Sequence, residues 1–142
     1  MKVFKKLILF FSVSTVAFIS CKNSDSPGNI DTTKTLLQNV WLVDSIASHY
    51  HTSIKDTSAT YLGQPSDYFN FNPNGNLYQQ INNSKDTSVY NIVNSNTVII
   101  THKDGTQNTA TITTLTSKKL VATSKQILNA TDYIEVKSYL EH

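Results

Sequence analysis

Residues 68–81 read Tyr-Phe-Asn-Phe-Asn-Pro-Asn-Gly-Asn-Leu-Tyr-Gln-Gln-Ile. Two runs rich in aromatic and aliphatic residues flank Asn72-Pro73-Asn74-Gly75, where proline presets φ early in a turn and Asn-Gly supplies positive φ. That is the signature of two antiparallel strands joined by a tight turn. The texture repeats in both directions from there. Asp104-Gly105 sits between two further strand patterns, and Asn94-Ser95-Asn96 and Thr116-Ser117 mark two more short connections. Strands are predicted at 40–50, 66–72, 76–82, 87–93, 97–102, 108–115, 118–125 and 131–140, with one long link at 51–65. In 97–101 and 109–115 threonine alternates with Ile, Val or Ala, so one face of the sheet is wet and the other dry. Eight sequential strands on one core make a sandwich or a barrel. Consecutive hairpins favour an all-β, eight-stranded antiparallel up-and-down barrel, because closure removes the exposed edges.

Ahead of the first strand, 31–39 reads as a short helix. Asp31 or Thr32 can cap its start, while Leu36, Leu37 and Val40 share a face. Residues 22–29, Lys-Asn-Ser-Asp-Ser-Pro-Gly-Asn, are polar and turn-rich and read as a flexible tether. At the N-terminus, Lys2, Lys5 and Lys6 precede an apolar run, Leu7–Ile19, that stops at Ser20-Cys21. These are the parts of an exported protein's signal peptide. The run spans about 20 Å as a helix, against about 30 Å of bilayer hydrocarbon, which argues against a permanent membrane span. The expected organisation is a signal peptide at 1–20, a lipidated Cys21 with its tether at 21–33, and one barrel domain at 34–142.

Ala17-Phe18-Ile19-Ser20-Cys21 resembles a bacterial lipobox, with Phe18 where Leu is usual. Cys21 is the only cysteine in the chain, and an unpaired cysteine in an exported protein is explained by diacylglycerol attachment. Multiple acyl chains anchor a protein stably without a span. Lys22, rather than Asp, after the cysteine favours delivery to the outer membrane, facing either the periplasm or the surface. Cleavage after Ser20 removes three of the twelve lysines and none of the ten acids, leaving nine against ten. The mature chain is near neutral and holds no arginine, so nothing in it suits nucleic-acid phosphates.

Asn39-Val40-Trp41 at the head of the first strand, Tyr68–Gly75 at the second turn and an aromatic-bearing last strand together resemble the lipocalin-like outer-membrane lipoproteins of Bacteroidetes, over residues 34–140. The resemblance implies a small barrel behind a lipidated tether, with a short N-terminal helix. Asn39 stands where lipocalins carry Gly, and Asn tolerates left-handed φ. Lipocalins commonly stack an arginine of the last strand on that Trp; Lys137 is the stand-in available here.

Trp41, Phe69, Phe71, Tyr78, Tyr90 and Tyr133 are the residues expected to line or plug the barrel. They form either the walls of a pocket for a small apolar or amphipathic ligand, or a solid core, since eight strands enclose just enough room for side chains alone. In the second case the protein is a structural adaptor whose outer face or 51–65 link docks an envelope protein. His49 and His51 fall on one strand face and would need His102 or Asp44 to complete a metal site; no metal and no other cofactor is expected. No serine lies in a nucleophile-elbow motif, and Asp44, Asp67 and Glu135 read as solvated carboxylates. A non-enzymatic protein is therefore expected. His142 reads as a mobile terminus. Asp31-Thr32-Thr33 resembles a Bacteroidetes glycosylation pattern, with Thr32 the acceptor.

Overall fold

The computed structural model describes residues 28–142. The signal peptide and Cys21 lie outside the described residues. One helix, α1 (Ile30–Leu37), precedes nine strands. These are β1 (Val40–His51), β2 (Thr57–Leu62), β3 (Tyr68–Phe71), β4 (Asn76–Ile81), β5 (Ser84–Asn94), β6 (Thr97–Thr101), β7 (Gln107–Leu115), β8 (Lys119–Ile127) and β9 (Tyr133–Glu141). From β3 to β9 every strand pairs antiparallel with the next, and β9 returns to pair with β1 from Leu42↔Glu141 to His51↔Tyr133. The result is the closed eight-strand barrel that the hairpin pattern predicts, made by β1 and β3–β9.

The ninth strand is the departure. β2 lies inside the stretch expected to be a long link, and it pairs with β1 from Ser45↔Leu62 to Tyr50↔Thr57. Farther along the same edge of β1, β3 takes over at Leu42↔Tyr68. β4 pairs with β3 and β5 and not with β2, so among the described residues the outer edge of β2 has no strand partner. Thr57-Ser58-Ala59-Thr60-Tyr61-Leu62 has exposed residues on both faces, with only Tyr61 half-buried. A strand that is wet on both sides carries no hydrophobic period for a sequence reading to find.

The turns behave as their residues demand. Gly75 and Gly105 take φ of +88° and +85°, each closing a turn with its N–H on a carbonyl three residues back, that of Asn72 and His102. Between β4 and β5, Asn82 and Asn83 both adopt positive φ, the requirement of a two-residue type I′ hairpin. They are the only non-glycine residues among those described that do so. Asn39 therefore does not use the left-handed geometry expected of it.

α1 starts earlier than predicted. The Asn29 side chain accepts from the Thr32 N–H at 2.9 Å, making Asn29 the cap in place of Asp31 or Thr32. Ile30, expected in the tether, is helical, as are Asp31–Thr33, where the expected helix and the tether range overlap. Thr33 is fully buried, and its hydroxyl donates to the Ser95 carbonyl in the β5–β6 turn at 2.7 Å. Leu37 is buried and its carbonyl accepts the Trp41 indole N–H at 3.0 Å. Val40, expected on the same face, is the exposed first residue of β1. The helix thus stoppers the end of the barrel where β1 and β4 begin and the β5–β6 and β7–β8 turns lie.

Trp41, with Leu37, Leu77 and Leu120, forms the most deeply buried part of the core. Against the expectation for a last-strand cation, Lys137 lies over Tyr139, 5.2 Å from the ring centroid. The terminal His142 meets the Trp41 ring edge-on at 5.9 Å, and its N–H donates to the Lys118 carbonyl at 3.1 Å. The last residue is tied down where the sequence suggested a loose end.

Candidate functional site

Alternation along each strand decides what faces the barrel interior. On β8 the inward series runs Leu120, Ala122, Ser124; on β7, Ile112, Ala110, Asn108; on β6, Val98 and Ile100, reaching His102 just past the strand. β1 would fall out of step, because Trp41 and Val43 face in and so does Ile46. A bulge at Asp44 restores the alternation, shifting the register with β9 between Val43 and Ser45. Read from the stoppered end toward the β6–β7 and β8–β9 turns, the β7 and β8 series pass from large and apolar to small and polar, and the β6 series ends on polar His102. The barrel is filled solid at one end and hollow toward the other.

The hollow is a cavity of about 190 Å³. Its apolar wall comes from Ile46, Phe69, Phe71, Ile100, Leu120 and Leu140, with Ala110, Ala122 and Val136. Gln79, His102, Asn108, Ser124 and Ser138 supply the polar remainder. Two of the polar residues, His102 and Asn108, are linked to each other, and His102 also to Ser88. Ser88, buried on β5, meets His102 Nδ1 at 3.1 Å, and the Asn108 amide nitrogen meets His102 Nε2 at 2.9 Å. With Asn108 donating to Nε2, the ring proton sits on Nδ1 and is donated to Ser88. The side chains of Gln79, Ser124 and Ser138 and the Asn108 Oδ1 take no hydrogen bond from another described residue, and since no fully buried side-chain N or O atom among those residues lacks a partner, these groups are reached by solvent.

Of the six aromatic residues expected to line or plug the barrel, Phe69 and Phe71 line this cavity. Trp41 lies beneath it in the packed end. Tyr90 is buried against Phe71, edge to face at 5.2 Å, and its hydroxyl donates to the Asn72 carbonyl at 2.9 Å. It borders a separate surface hollow of about 340 Å³ between α1, Pro73 and β5. Tyr78 and Tyr133 are corrections. By alternation with Leu77 and Gln79, Tyr78 faces outward, and its hydroxyl takes the Asn76 amide at 3.3 Å. Tyr133 is also outside the barrel, stacked on His51 at 4.8 Å with the Lys125 ammonium 3.5 Å from its centroid. Aromatic identity alone could not reveal these faces; strand parity counted from Val136, Ser138 and Leu140 could.

His49 and His51 do share the outer face of β1, as their spacing requires. Asp56 is their partner, 2.7 Å from His51 Nδ1 and 4.0 Å from His49 Nε2. No group of three metal-ligating side chains forms among the described residues. His102 is inside the barrel, and Asp44 is exposed at the bulge. Thr32 is exposed in the first turn of α1.

The buried carboxylate that sequence reading missed is Asp67. It was expected to be solvated like Asp44 and Glu135, which are exposed, yet it is fully buried. Its oxygens accept the Tyr61 hydroxyl, the Gln64 N–H at 2.9 Å and the Asn82 N–H at 2.9 Å, and its own carbonyl takes the Val43 N–H at 3.1 Å. One side chain thereby pins β2, the 63–67 link and the β4–β5 turn together. The Tyr61 hydrogen bond, with the two backbone donors, holds the Asp67 carboxyl below the usual range, and the same bond raises the Tyr61 phenol.

A lowered carboxyl contributes stability above its unfolded value of about 3.9, which disappears as pH falls through the folded value. A raised phenol contributes below about 10 and fails as pH rises past its folded value. Asp67→Asn is therefore expected to lower the melting temperature by roughly 5–10 °C at pH 7. The gap to the parent should narrow in acid as pH falls from the unfolded carboxyl value through the lower folded one. Thermal melts between pH 2 and 8 check this, and a gap that does not change with pH would refute it.

The lipocalin-like domain family matches this chain over residues 40–122. No curated protein matches it. Among solved structures, a deswapped triple mutant of bovine odorant-binding protein is 16% identical over 75% of this chain and 73% of its own, with a TM-score of 0.49. The family match covers more than half of the sequence, from the head of β1 into β8, and so the chain belongs to the lipocalin-like domain family.

Proposed function

We propose that the chain is a lipid-anchored, non-enzymatic barrel of the bacterial outer membrane that holds a small apolar or amphipathic molecule in its interior. The cavity carries the reading: about 190 Å³ with a mainly apolar wall, at the hollow end of a barrel packed solid at the other. A dry apolar cavity of about 150 Å³ accommodates benzene, so this one fits a molecule of one ring or a short chain. The lipobox at Ala17–Cys21 and the signal peptide before it support the anchor. α1, at the start of the described residues, closes one end of the barrel, and the cavity lies toward the other.

Purified residues 22–142 should retain or take up such a molecule. Native mass spectrometry and methyl NMR of Ile46, Ile100, Leu120 and Leu140 are the tests. Ala122→Phe fills the cavity from its wall, and binding is expected to weaken more than about tenfold while the fold persists. No ligand among small apolar and amphipathic compounds, and unmoved methyl resonances, would end this reading.

One observation favours the adaptor alternative as well. β2 offers a six-residue strand with a free edge and no charged side chain, and Leu62 on it is 69% exposed. Such an edge accepts a strand from another protein through main-chain hydrogen bonds. A photocrosslinker at Ser58 in cells would capture one reproducible envelope protein under this reading and none if the edge is idle.

A further inference from the structure

We infer that the cavity selects a neutral, ring-sized molecule with a single hydrogen-bonding group, seated with its apolar body on Phe71, Leu120 and Leu140 and its polar group toward Asn108 and Ser124. The inference rests on the ligand-carrying reading above and narrows its ligand class. Three observations carry it.

First, polarity rises along β7 and β8 from the floor, while on β9 the single polar residue lining the cavity, Ser138, lies one step above Leu140. Leu120–Leu140 is a cross-strand pair at the floor, and two inward steps along β8 reach Ser124, opposite Ala110 on β7. One further inward step along β7 is Asn108. A bound molecule meets hydrocarbon at one end and amide and hydroxyl groups at the other.

Second, those polar groups are held yet unspent. His102 is fixed through both ring nitrogens by Ser88 and Asn108, which orients the Asn108 amide and leaves its Oδ1 without a protein partner. Ser124 and Gln79 also line the cavity and take no hydrogen bond from another described residue; because no fully buried side-chain N or O atom among those residues lacks a partner, both are open to solvent in the cavity and available to a ligand. Water could satisfy these groups, but it has nothing to bond at the apolar floor, where a site for water requires two to four polar partners.

Third, no lysine, aspartate or glutamate lines the cavity. Near the β6–β7 turn, Asp86 and Lys103 are paired with each other at 3.5 Å, and Asp104 is occupied by the Thr106 hydroxyl at 2.7 Å. A carboxylate or ammonium brought inside would lose hydration with no opposite charge to meet it. A hydroxyl, carbonyl or amide costs far less and finds both donors and acceptors waiting.

The test uses three probes of nearly equal shape on the folded barrel, residues 22–142: p-cresol, p-xylene and p-toluate, titrated by calorimetry and methyl NMR. p-Cresol is expected to bind at least about tenfold more tightly than p-xylene and than p-toluate. The double variant Asn108→Leu with Ser124→Ala should bring p-cresol and p-xylene within about threefold of each other while p-xylene still binds. Should that variant not fold, the three-probe ranking on the parent decides alone. Equal affinity for cresol and xylene overturns the inference and leaves the carrier reading standing. Tightest binding of p-toluate overturns the neutral-ligand claim in the same way. Binding of none of the three overturns the carrier reading, and this inference with it.

Discussion

Gly63→Ala is expected to destabilise the barrel by about 3 kcal/mol or more, at or above the upper end of overpacking substitutions. A Cβ on Gly63 would lie 1.7 Å from the Val43 carbonyl oxygen and 2.6 Å from its carbon, a contact with backbone that no rotamer change relieves. Gly63 takes no left-handed φ, so its requirement is space and not conformation. That space is scarce because the link from β2 to β3 presses on the bulge of β1. Gly63 N–H donates to the Asp44 carbonyl at 2.9 Å, and Val43 N–H donates to the Asp67 carbonyl at 3.1 Å. A methyl group there breaks both bonds and displaces Asp67 from the Tyr61 hydroxyl and the Asn82 N–H. The expected result is a fall in melting temperature of roughly 10 °C or more, with early loss of amide protection at Val43 and Gly63. Gly28→Ala, where a Cβ meets nothing within 4 Å, should leave the melt unchanged. A Gly63→Ala protein that melts with the parent would show that the link gives way freely, and the bulge would lose its role as the anchor of β2.

This junction also marks how far the sequence could be read. The strands of the closed barrel were legible because each has one face in the core and one in water, and because Asn72–Gly75 and Asp104-Gly105 announce their turns. The cavity was half legible. Phe69 and Phe71 declare apolar surface, but Ser124, Asn108 and His102 matter only through their parity with Leu120, Ile112 and Val98. That parity can be counted from the sequence once the barrel is assumed. Tyr78 and Tyr133 were misplaced because side-chain type was weighed ahead of the alternation that turns them outward. β2 and Asp67 lay beyond such reasoning. β2 has no buried face, and Asp67 is satisfied by the Gln64 and Asn82 backbone and the Tyr61 hydroxyl, partners that only the tertiary fold brings together. The helix cap falls two residues before the nearer of those expected because Asn29, Asp31 and Thr32 are all competent caps, and packing of Thr33 on Ser95 selects among them.

Trp41→Ala should be the other most damaging substitution, costing about 3–5 kcal/mol and lowering the melting temperature by roughly 10–20 °C. The indole is 0% exposed and is the largest side chain in the packed end, so its removal leaves a hole that the closed barrel cannot collapse around. It is also the joint between three parts of the chain. Its N–H holds the Leu37 carbonyl at the end of α1, its ring takes the edge of His142 at 5.9 Å, and β3 pairs beside it through Phe69. Trp41→Phe separates these roles. Phenylalanine keeps most of the apolar volume but leaves the Leu37 carbonyl without its donor, a cost of about 1–2 kcal/mol. The Phe variant should hold the barrel while loosening the helix, seen as faster amide exchange at Thr33 and Leu37 with core strands still protected. Equal losses for Phe and Ala would place the whole effect in the hydrogen bond, whereas a Phe variant with unchanged exchange in α1 would mean that packing of Leu37 and Thr33 holds the stopper unaided. The expected ordering puts volume first and the hydrogen bond second, because the bond fixes where α1 sits and the ring fills the barrel beneath the cavity.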